Sequence, residues 1–284
     1  MVQEIRQFLA KNGENKNQTE DSTIKIKNPP RFEDVLNQDK AIYFPRNSEV
    51  GVLLLHSYTS TPYEFYDLAK YLADKGLTVL APTIAGHGTT PEDLAKTTIE
   101  DWQQSAEDAY LFLKQKAKKI FVVGSSFGGN LAFHLANKFH NPLAGVVSMG
   151  TPIKVRWEKF FKFSLATYGW LKKNQKKRRV DYKLMYFDQE QVAYPVMPVE
   201  SLRRMFTFIK KITVPSLKDI KAPTLIIQSS ADRIVNPISA QYIHEHLGSV
   251  DKRVLWVNGN HHTLAVDEKR GLIYKAIYRF ITES

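Results

Sequence analysis

The sequence predicts an α/β fold with a mostly parallel central sheet and helices on both faces. Short runs of apolar and β-branched residues alternate with longer segments whose apolar residues recur at helical spacing. One alternation, at residues 120–136, places a serine in Gly124-x-Ser126-x-Gly128 between a strand and a helix. A basic stretch over residues 151–219 interrupts the alternation, which predicts an insertion between two strands of the sheet.

The predicted elements follow from these two periodicities. Strands are predicted at residues 41–44, 51–55, 77–81, 120–123, 144–149, 224–228 and 253–257. Helices are predicted at residues 62–75, 99–116, directly after Ser126, 237–246 and 272–280. In a parallel sheet of this kind, ligands bind at the carboxyl ends of the strands, and Ser126 lies at such an end.

The same pattern divides the chain into four parts. Residues 1–40 are polar with little apolar periodicity and predict an N-terminal extension. Residues 41–150 and 220–284 predict the two parts of the core, and residues 151–219 a cap between them.

The insertion carries an apolar stripe at helical spacing, formed by Trp157, Phe161, Leu165, Tyr168 and Leu171. A second helix is predicted at 199–211, with Leu202, Met205, Phe206 and Ile209 facing inward. Both stripes are explained by simple packing on the core. Their position beyond the strand ends favours a cap with an apolar acyl pocket, for which Trp157, Phe161 and Tyr168 are the substrate-contacting candidates.

The positive charge of the chain is concentrated in one region. The formal net charge is +11, and residues 154–219 hold sixteen lysine and arginine residues against six aspartate and glutamate residues. A solvated lysine-rich surface is the simplest interpretation. The alternative is attraction to an acidic ligand, or weak contact with an anionic membrane surface through the basic cap. No nucleic-acid-binding motif is present, so nucleic acid is not an expected partner.

Composition also restricts the chemistry and the compartment. The chain has no cysteine, which excludes disulfides, thiolate metal sites and a cysteine nucleophile. The N-terminus lacks the apolar core of a signal peptide, and the apolar runs are too short to span a bilayer. We therefore expect a cytoplasmic protein.

The Gly124-x-Ser126-x-Gly128 segment is typical of a nucleophile elbow when a strand precedes it and a helix follows it. The two glycines flank Ser126 because the backbone passes too close for a side chain on either side. The helix begins just past the serine, so its free N–H groups point to where an oxyanion would form.

A serine nucleophile needs a base and a carboxylate that orients the base. Asp232 and His262 each follow a predicted strand, and the order Ser126, Asp232, His262 is that of the α/β-hydrolase triad. In this mechanism His262 takes the Ser126 proton during attack on an acyl carbon, while Asp232 orients the imidazole. Spacing alone leaves His261 as a rival base.

The oxyanion hole requires two N–H donors. One is expected from the residue after the nucleophile, Phe127. The other is expected from the loop after the strand at 51–55, where Tyr58 is the candidate.

From about residue 50 onward, the chain resembles the bacterial carboxylesterase and monoacylglycerol-lipase-like α/β hydrolases. The matching motifs are Leu53-Leu54-Leu55-His56 with Thr59 and Pro62, the stretch from Ala85 to Leu94, Gly124-x-Ser126-x-Gly128-Gly129, Asp232 with Asn236-Pro237, and His262 with Asp267. The last pair has the family's five-residue spacing and favours His262 over His261. The resemblance implies hydrolysis of short- to medium-chain esters, including monoacylglycerols, without a metal or organic cofactor.

The sequence departs from the family pattern in the oxyanion loop and beside the base. Ser57 stands where the family usually has glycine, and its Cβ can reshape the loop that carries the predicted donor Tyr58. His261 stands where a small residue is usual. The same residues leave two other functions open. One is a thioesterase or amidase using the same triad, and the other is a lipid- or nucleic-acid-binding module with a vestigial site.

Overall fold

A computed structural model of the chain describes most residues from 41 onward. The described residues are 41–139, 143–154, 174–176, 186–187, 190–191, 193–259, 262–267 and 269–284. The predicted extension over residues 1–40 and the apolar stripe at 157–171 lie outside this set.

One large sheet forms the centre of the fold. Its strands are β1 (Ile42–Phe44), β2 (Val50–Leu55), β3 (Thr78–Ala81), β4 (Lys119–Ser125), β5 (Leu143–Met149), β10 (Thr224–Ser229) and β11 (Lys252–Val257). Among the described residues, the strand order is β1-β3-β2-β4-β5-β10-β11. β1 pairs antiparallel with β3, and the other neighbours are parallel. This arrangement confirms the predicted fold class.

Helices cover both faces of the sheet. They are α1 (Tyr66–Asp74), α2 (Pro91–Lys96), α3 (Ile99–Lys114), α4 (Phe127–Lys138), α5 (Val199–Phe208), α6 (Ile238–His246) and α7 (Arg270–Glu283). Shorter helical turns lie at Pro62–Phe65, Ile209–Thr213, Val214–Ser216, Leu217–Asp219 and Leu264–Val266.

The run of apolar residues in β2 is explained by burial on both sides. Leu53 and Leu55 join one hydrophobic cluster, which includes residues of α3 and α4. Val52 and Leu54 join the opposite cluster, which includes residues of α1 and α7. Since side chains alternate along a strand, an uninterrupted apolar run is required when both faces are covered.

Helix α2 is absent from the elements predicted above. Its start is encoded locally, because Pro91 occupies the first turn and the Thr90 side chain accepts a hydrogen bond from the Asp93 N–H at 3.2 Å. A capping threonine followed by proline is a recognised helix start. This signal was present in the sequence.

The described part of the insertion contains strands as well as the predicted helix. β6 (Asn174–Lys176) pairs with β9 (Val196–Pro198), and β7 (Tyr186–Phe187) pairs with β8 (Glu190–Gln191). None of these short strands has an alternating apolar pattern long enough to predict it.

Helix α5 ends earlier than predicted and buries a different aromatic residue. The α-helix ends at Phe208, and a wider π-helical turn follows it at Ile209–Thr213. Phe208 is fully buried, whereas Phe206, which was predicted to face inward, is only partly buried. Leu202, Met205 and Ile209 are buried as predicted.

A buried ionic cluster joins α3 to α4. The Glu107 carboxylate accepts hydrogen bonds from His134 Nε2 at 2.7 Å and Lys138 Nζ at 2.6 Å. Gln103 Nε2 lies 3.1 Å from His134 Nδ1. Burial raises the pKa of Glu107, but the hydrogen bonds and charges of His134 and Lys138 outweigh burial and hold this pKa below its ordinary value.

Replacing Glu107 by glutamine should weaken this cluster while keeping the side-chain volume. We expect the free energy of unfolding at neutral pH to fall by about 1–3 kcal/mol. Since the pKa is lowered in the folded protein, the stabilisation is present above the unfolded-state pKa. It is lost as the pH falls through the folded-state pKa. Urea unfolding curves at neutral and acid pH measure the difference.

The matched control is Glu49→Gln. Glu49 pairs with Lys118 on the exposed surface, where ion pairs contribute little to stability. Its unfolding curve should overlay that of the wild type. A Glu107→Gln variant as stable as wild type at neutral pH would contradict a stabilising role for the cluster.

Candidate active site

Ser126 lies at the sharp turn between β4 and α4. Its backbone has φ 50° and ψ −118°, a region that costs a residue with a side chain about 1–3 kcal/mol. A Cβ on Gly124 would overlap the Gly128 carbonyl, and a Cβ on Gly128 would overlap the Leu55 carbonyl. Close backbone approach therefore requires glycine at both positions.

Hydrogen bonds hold the turn on both sides of the serine. The Ser126 N–H donates to the Met149 carbonyl at 2.7 Å, and the Ser126 carbonyl accepts from the Gly129 N–H at 2.9 Å. The first bond ties the turn to the end of β5, and the second belongs to the first turn of α4. The strained conformation is thus fixed by the surrounding backbone, which presents the hydroxyl above the sheet.

His262 bridges Ser126 and Asp232. Its Nδ1 lies 2.8 Å from Asp232 Oδ2, and its Nε2 lies 3.0 Å from Ser126 Oγ. An ionised carboxylate only accepts hydrogen bonds, so the imidazole proton is on Nδ1 and Nε2 accepts from the Ser126 hydroxyl. The three side chains follow β4, β10 and β11, whose carboxyl ends meet at one edge of the sheet.

Asp232 is a fully buried carboxylate with several donors around it. Its Oδ1 accepts from the backbone N–H groups of Ile234 at 2.8 Å and Val235 at 3.0 Å. Gln228 Nε2 lies 3.3 Å from Oδ2, the oxygen that also faces His262. These bonds offset the cost of burying the charge and fix the direction from which His262 is held.

The backbone of the oxyanion loop is fixed at Ser57. The Ser57 N–H donates to Glu64 Oε2 at 2.9 Å, so this group is engaged within the loop. The Ser57 carbonyl accepts from the Ser60 N–H at 3.0 Å and lies 3.0 Å from His56 Nδ1. Because the peptide bond is planar and trans, the Tyr58 N–H points to the opposite side from that carbonyl.

Ser57 itself causes no backbone strain, although it replaces the glycine usual in the family. Among the described residues other than glycine, positive φ angles occur at Thr59 and Ser126 and not at Ser57. The Ser57 side chain is accommodated by hydrogen bonds to Glu64 and Ser125, at 2.8 and 3.0 Å. The Ser57 side chain therefore fits the loop that carries the Tyr58 N–H without forcing a positive φ at position 57.

His56 supports the loop from the core. The Ile84 N–H donates to His56 Nε2 at 3.1 Å, which leaves the proton on Nδ1 to donate to the Ser57 carbonyl. Burial lowers the pKa of His56 and keeps the imidazole neutral, as both bonds require.

The second predicted donor, Phe127, is the first residue of α4. The first N–H groups of a helix have no acceptor within the helix, so the Phe127 N–H is available for a ligand. Its side chain is buried in an aromatic cluster with Tyr58, Trp102 and Phe208, with ring-centroid distances from Phe127 of 6.4, 5.2 and 5.2 Å. These rings pack around the start of α4 and join it to the loop that carries Tyr58.

The insertion contacts the oxyanion loop directly. Tyr58 Oη lies 2.6 Å from Ser201 Oγ on α5, and burial raises the pKa of Tyr58 so that it keeps its proton. The Tyr194 N–H donates to the Thr59 carbonyl at 2.8 Å. The Tyr194 hydroxyl donates to the Gly86 carbonyl at 3.1 Å. Sequence reasoning missed Tyr194 and Ser201 because nothing local marks residues that contact a loop more than a hundred positions away.

Four residues singled out in the sequence lie outside the described part of the structure. They are the substrate-pocket candidates Trp157, Phe161 and Tyr168, and the rival base His261. Within the described part, no group of histidine, aspartate and glutamate residues has the arrangement of a metal site. In the same part of the chain, no helix has both the length and the apolar character needed to cross a membrane.

The strain at Ser126 predicts an unusual order of stability among its variants. Reversing the signs of φ and ψ at Ser126 gives angles in the extended region. Glycine has no side chain, so it adopts the extended region and the mirror image of that region about equally readily. Ser126→Gly should therefore be more stable than Ser126→Ala by about 1 kcal/mol, despite the greater flexibility of unfolded glycine. Urea unfolding of both variants measures the difference. The usual order, with alanine the more stable, would mean that the turn is not strained.

Comparison with known proteins identifies the family. Residues 47–269 match the family model described as "Serine aminopeptidase, S33". The chain is 31% identical over 244 residues to a thermostable monoacylglycerol lipase of Bacillus sp. (strain H-257), covering 85% of this chain and 94% of the relative. It is 28% identical over 237 residues to a carboxylesterase of Bacillus subtilis (strain 168), covering 83% and 94%.

A solved structure is also similar to this chain in fold and in sequence. A chain from the work on LipS and LipT, described as two metagenome-derived lipolytic enzymes, has a TM-score of 0.78 and 29% identity. The match covers 88% of this chain and 100% of the other. The family model spans far more than half of the sequence, and its matched region contains the turn at Ser126, Asp232 and His262. The chain therefore belongs to the serine aminopeptidase S33 family of α/β hydrolases.

Proposed function

We propose that this α/β hydrolase cleaves carboxylic esters with apolar acyl groups through an acyl-enzyme intermediate on Ser126. The observation that carries the proposal is the position of His262, which is hydrogen-bonded to both Ser126 Oγ and Asp232 Oδ2. A serine oriented by a histidine, itself oriented by a buried carboxylate, is an arrangement suited to acyl transfer.

In the proposed reaction, His262 Nε2 takes the hydroxyl proton as Ser126 Oγ attacks the acyl carbon. Asp232 stabilises the imidazolium that forms and keeps its Nδ1 proton in place. The imidazolium then protonates the leaving alcohol, and the C–O bond breaks to leave an acyl-serine. His262 next activates a water molecule, which hydrolyses the acyl-serine and regenerates the hydroxyl.

The N–H groups of Tyr58 and Phe127 are the proposed oxyanion donors. The Tyr58 N–H is supported by the fixed peptide plane of Ser57, and the Phe127 N–H by its place at the start of α4. Negative charge develops on the acyl oxygen in the tetrahedral intermediate, and donors already in place stabilise it without reorganisation.

The preference for apolar acyl groups rests on relatives and on local apolar surface. The monoacylglycerol lipase and carboxylesterase relatives carry ester-hydrolase names. Tyr58, Phe127 and Phe208 form aromatic packing between the core and the insertion close to the site. For the acyl pocket itself we propose Trp157, Phe161 and Tyr168 as candidates, with residues 151–219 as the cap.

The proposal also covers membrane contact, cellular location and the leaving group of the substrate. The positive charge of the cap favours weak contact with an anionic membrane surface. The lack of cysteine agrees with a cytoplasmic location. A thioester or amide would pass through the same tetrahedral oxyanion, so the leaving group has to be identified by assay.

The first activity test compares variants at Ser126 and at the two adjacent histidines. Ser126→Ala and His262→Ala should each lower kcat on a p-nitrophenyl ester by about 10³-fold or more, because nucleophile and base act as a unit. His261→Ala is the matched control and should keep most activity. A fluorophosphonate should label wild type and His261→Ala but not Ser126→Ala. Unchanged turnover by Ser126→Ala would refute the proposal.

The second test concerns the substrate. At equal acyl length, we expect kcat/KM to be larger for p-nitrophenyl esters than for acyl-CoA thioesters or anilides. Lengthening the acyl chain from acetyl should raise kcat/KM, since each buried methylene contributes about 0.8 kcal/mol, or roughly fourfold. Steady-state assays across the panel measure both trends. A preference for the thioester or the anilide would instead identify a thioesterase or an amidase.

A further inference from the structure

Glu64 is a buried carboxylate that takes no part in the proposed proton transfers. It lies in the helical turn Pro62–Phe65 and is 2% exposed. Its Oε2 accepts from the Ser57 N–H at 2.9 Å, and its Oε1 accepts from the Ser57 hydroxyl at 2.8 Å. Among the described residues, no lysine or arginine forms an ion pair with it.

These two bonds close the oxyanion loop on itself. Both Ser57 donors are directed to one carboxylate seven residues later in the chain. The Ser57 carbonyl is held at the same time by the Ser60 N–H and His56 Nδ1. Every polar group of Ser57 is therefore engaged, and the peptide plane that carries the Tyr58 N–H has little freedom to rotate.

The hydrogen bonds continue from Ser57 to the nucleophile turn. Ser57 Oγ lies 3.0 Å from Ser125 Oγ, and Ser125 is buried. The Ser57 hydroxyl thus lies within hydrogen-bond distance of both the Glu64 carboxylate and the Ser125 hydroxyl. It has one proton, so it donates to one of these two oxygens at a time.

The hydrogen bonds from Glu64 through Ser57 to Ser125 join the two segments that carry the proposed oxyanion donors. Ser57 directly precedes Tyr58, and Ser125 directly precedes the strained Ser126 and its neighbour Phe127. The separation of the Tyr58 and Phe127 N–H groups depends on how these segments are held together. A displacement of about 1 Å in such an arrangement is enough to cost about 10²-fold in rate.

We propose that Glu64 is a positioning residue that sets the geometry of the oxyanion hole through Ser57 and Ser125. The inference deepens the proposed function and rests on it. Among the described residues, the hydrogen bonds of the Glu64 carboxylate go to Ser57 and not to a member of the proposed triad. These hydrogen bonds compensate for the burial of the carboxylate and hold it in the loop. The acceptor that Glu64 provides for the Ser57 hydroxyl also explains why a serine is accepted at position 57, where the family usually has glycine.

The test measures kcat, KM and inhibitor binding for variants of Glu64. Glu64→Ala should lower kcat on a p-nitrophenyl ester by about 10- to 100-fold, with KM changed by less than about twofold because ground-state binding is untouched. An alkyl boronic acid, which forms a tetrahedral adduct on the serine, should bind more weakly by a similar factor. Rates are expressed per site titrated with a fluorophosphonate, which removes the contribution of unfolded protein.

The conservative variant separates positioning from charge. Glu64→Gln should recover most of the loss, because its amide oxygen still accepts from the Ser57 N–H and its NH₂ can donate to the Ser57 hydroxyl. Ser125→Ala breaks the chain without leaving a buried charge unpaired. It should lower kcat by about 2- to 12-fold, the range expected for one lost hydrogen bond, and it serves as the test if Glu64→Ala does not fold.

Glu107→Ala is the matched control, since it removes a buried carboxylate from the cluster between α3 and α4. It should lose stability but keep kcat per titrated site. If Glu64→Ala and Ser125→Ala both keep the wild-type kcat per titrated site, the positioning role is rejected while the proposed function stands. If wild type and Ser126→Ala hydrolyse the ester equally, the proposed function itself fails, and the role of Glu64 fails with it.

Discussion

The whole site depends on one strained backbone conformation, that of Ser126. A positive φ at a residue with a side chain is unfavourable, and it persists only where surrounding contacts outweigh the cost. Here the contacts are the close approach of Gly124 and Gly128 to neighbouring carbonyls and the bond from Ser126 to the end of β5. The turn lifts the hydroxyl above the sheet and starts α4 directly behind it. The hydroxyl and the Phe127 N–H are therefore positioned by the same feature.

Buried carboxylates organise the rest of the site because a desolvated charge must be matched by donors. Asp232 accepts hydrogen bonds from two backbone N–H groups and from His262 Nδ1. The bond from Nδ1 fixes the tautomer of the His262 imidazole. Glu64 collects both donors of Ser57 and thereby orients the loop that carries Tyr58. The two carboxylates have different consequences. In the proposed reaction, Asp232 orients the imidazole that transfers the proton, while Glu64 holds the backbone of the neighbouring loop.

The insertion is part of the site's framework as well as a proposed cap. Tyr194 and Ser201 hydrogen-bond to the residues next to the Ser57 turn, and Phe208 packs against Phe127. A change in the position of α5 would therefore displace the loop that contains Ser57, Tyr58 and Thr59, since packed elements transmit displacement.

The amino-acid sequence alone was enough to predict the alternating elements, the nucleophile turn and the grouping of Ser126, Asp232 and His262. These features are local: apolar periodicity, glycines at a close approach and polar residues directly after strands. The contacts of Ser57 could be recognised only in the folded chain, because the loop has to close before Ser57 and Glu64 come within hydrogen-bond distance. The folded chain also showed that Phe208 is buried more deeply than Phe206. Such contacts depend on how distant segments meet in space, and periodicity carries no information about that meeting.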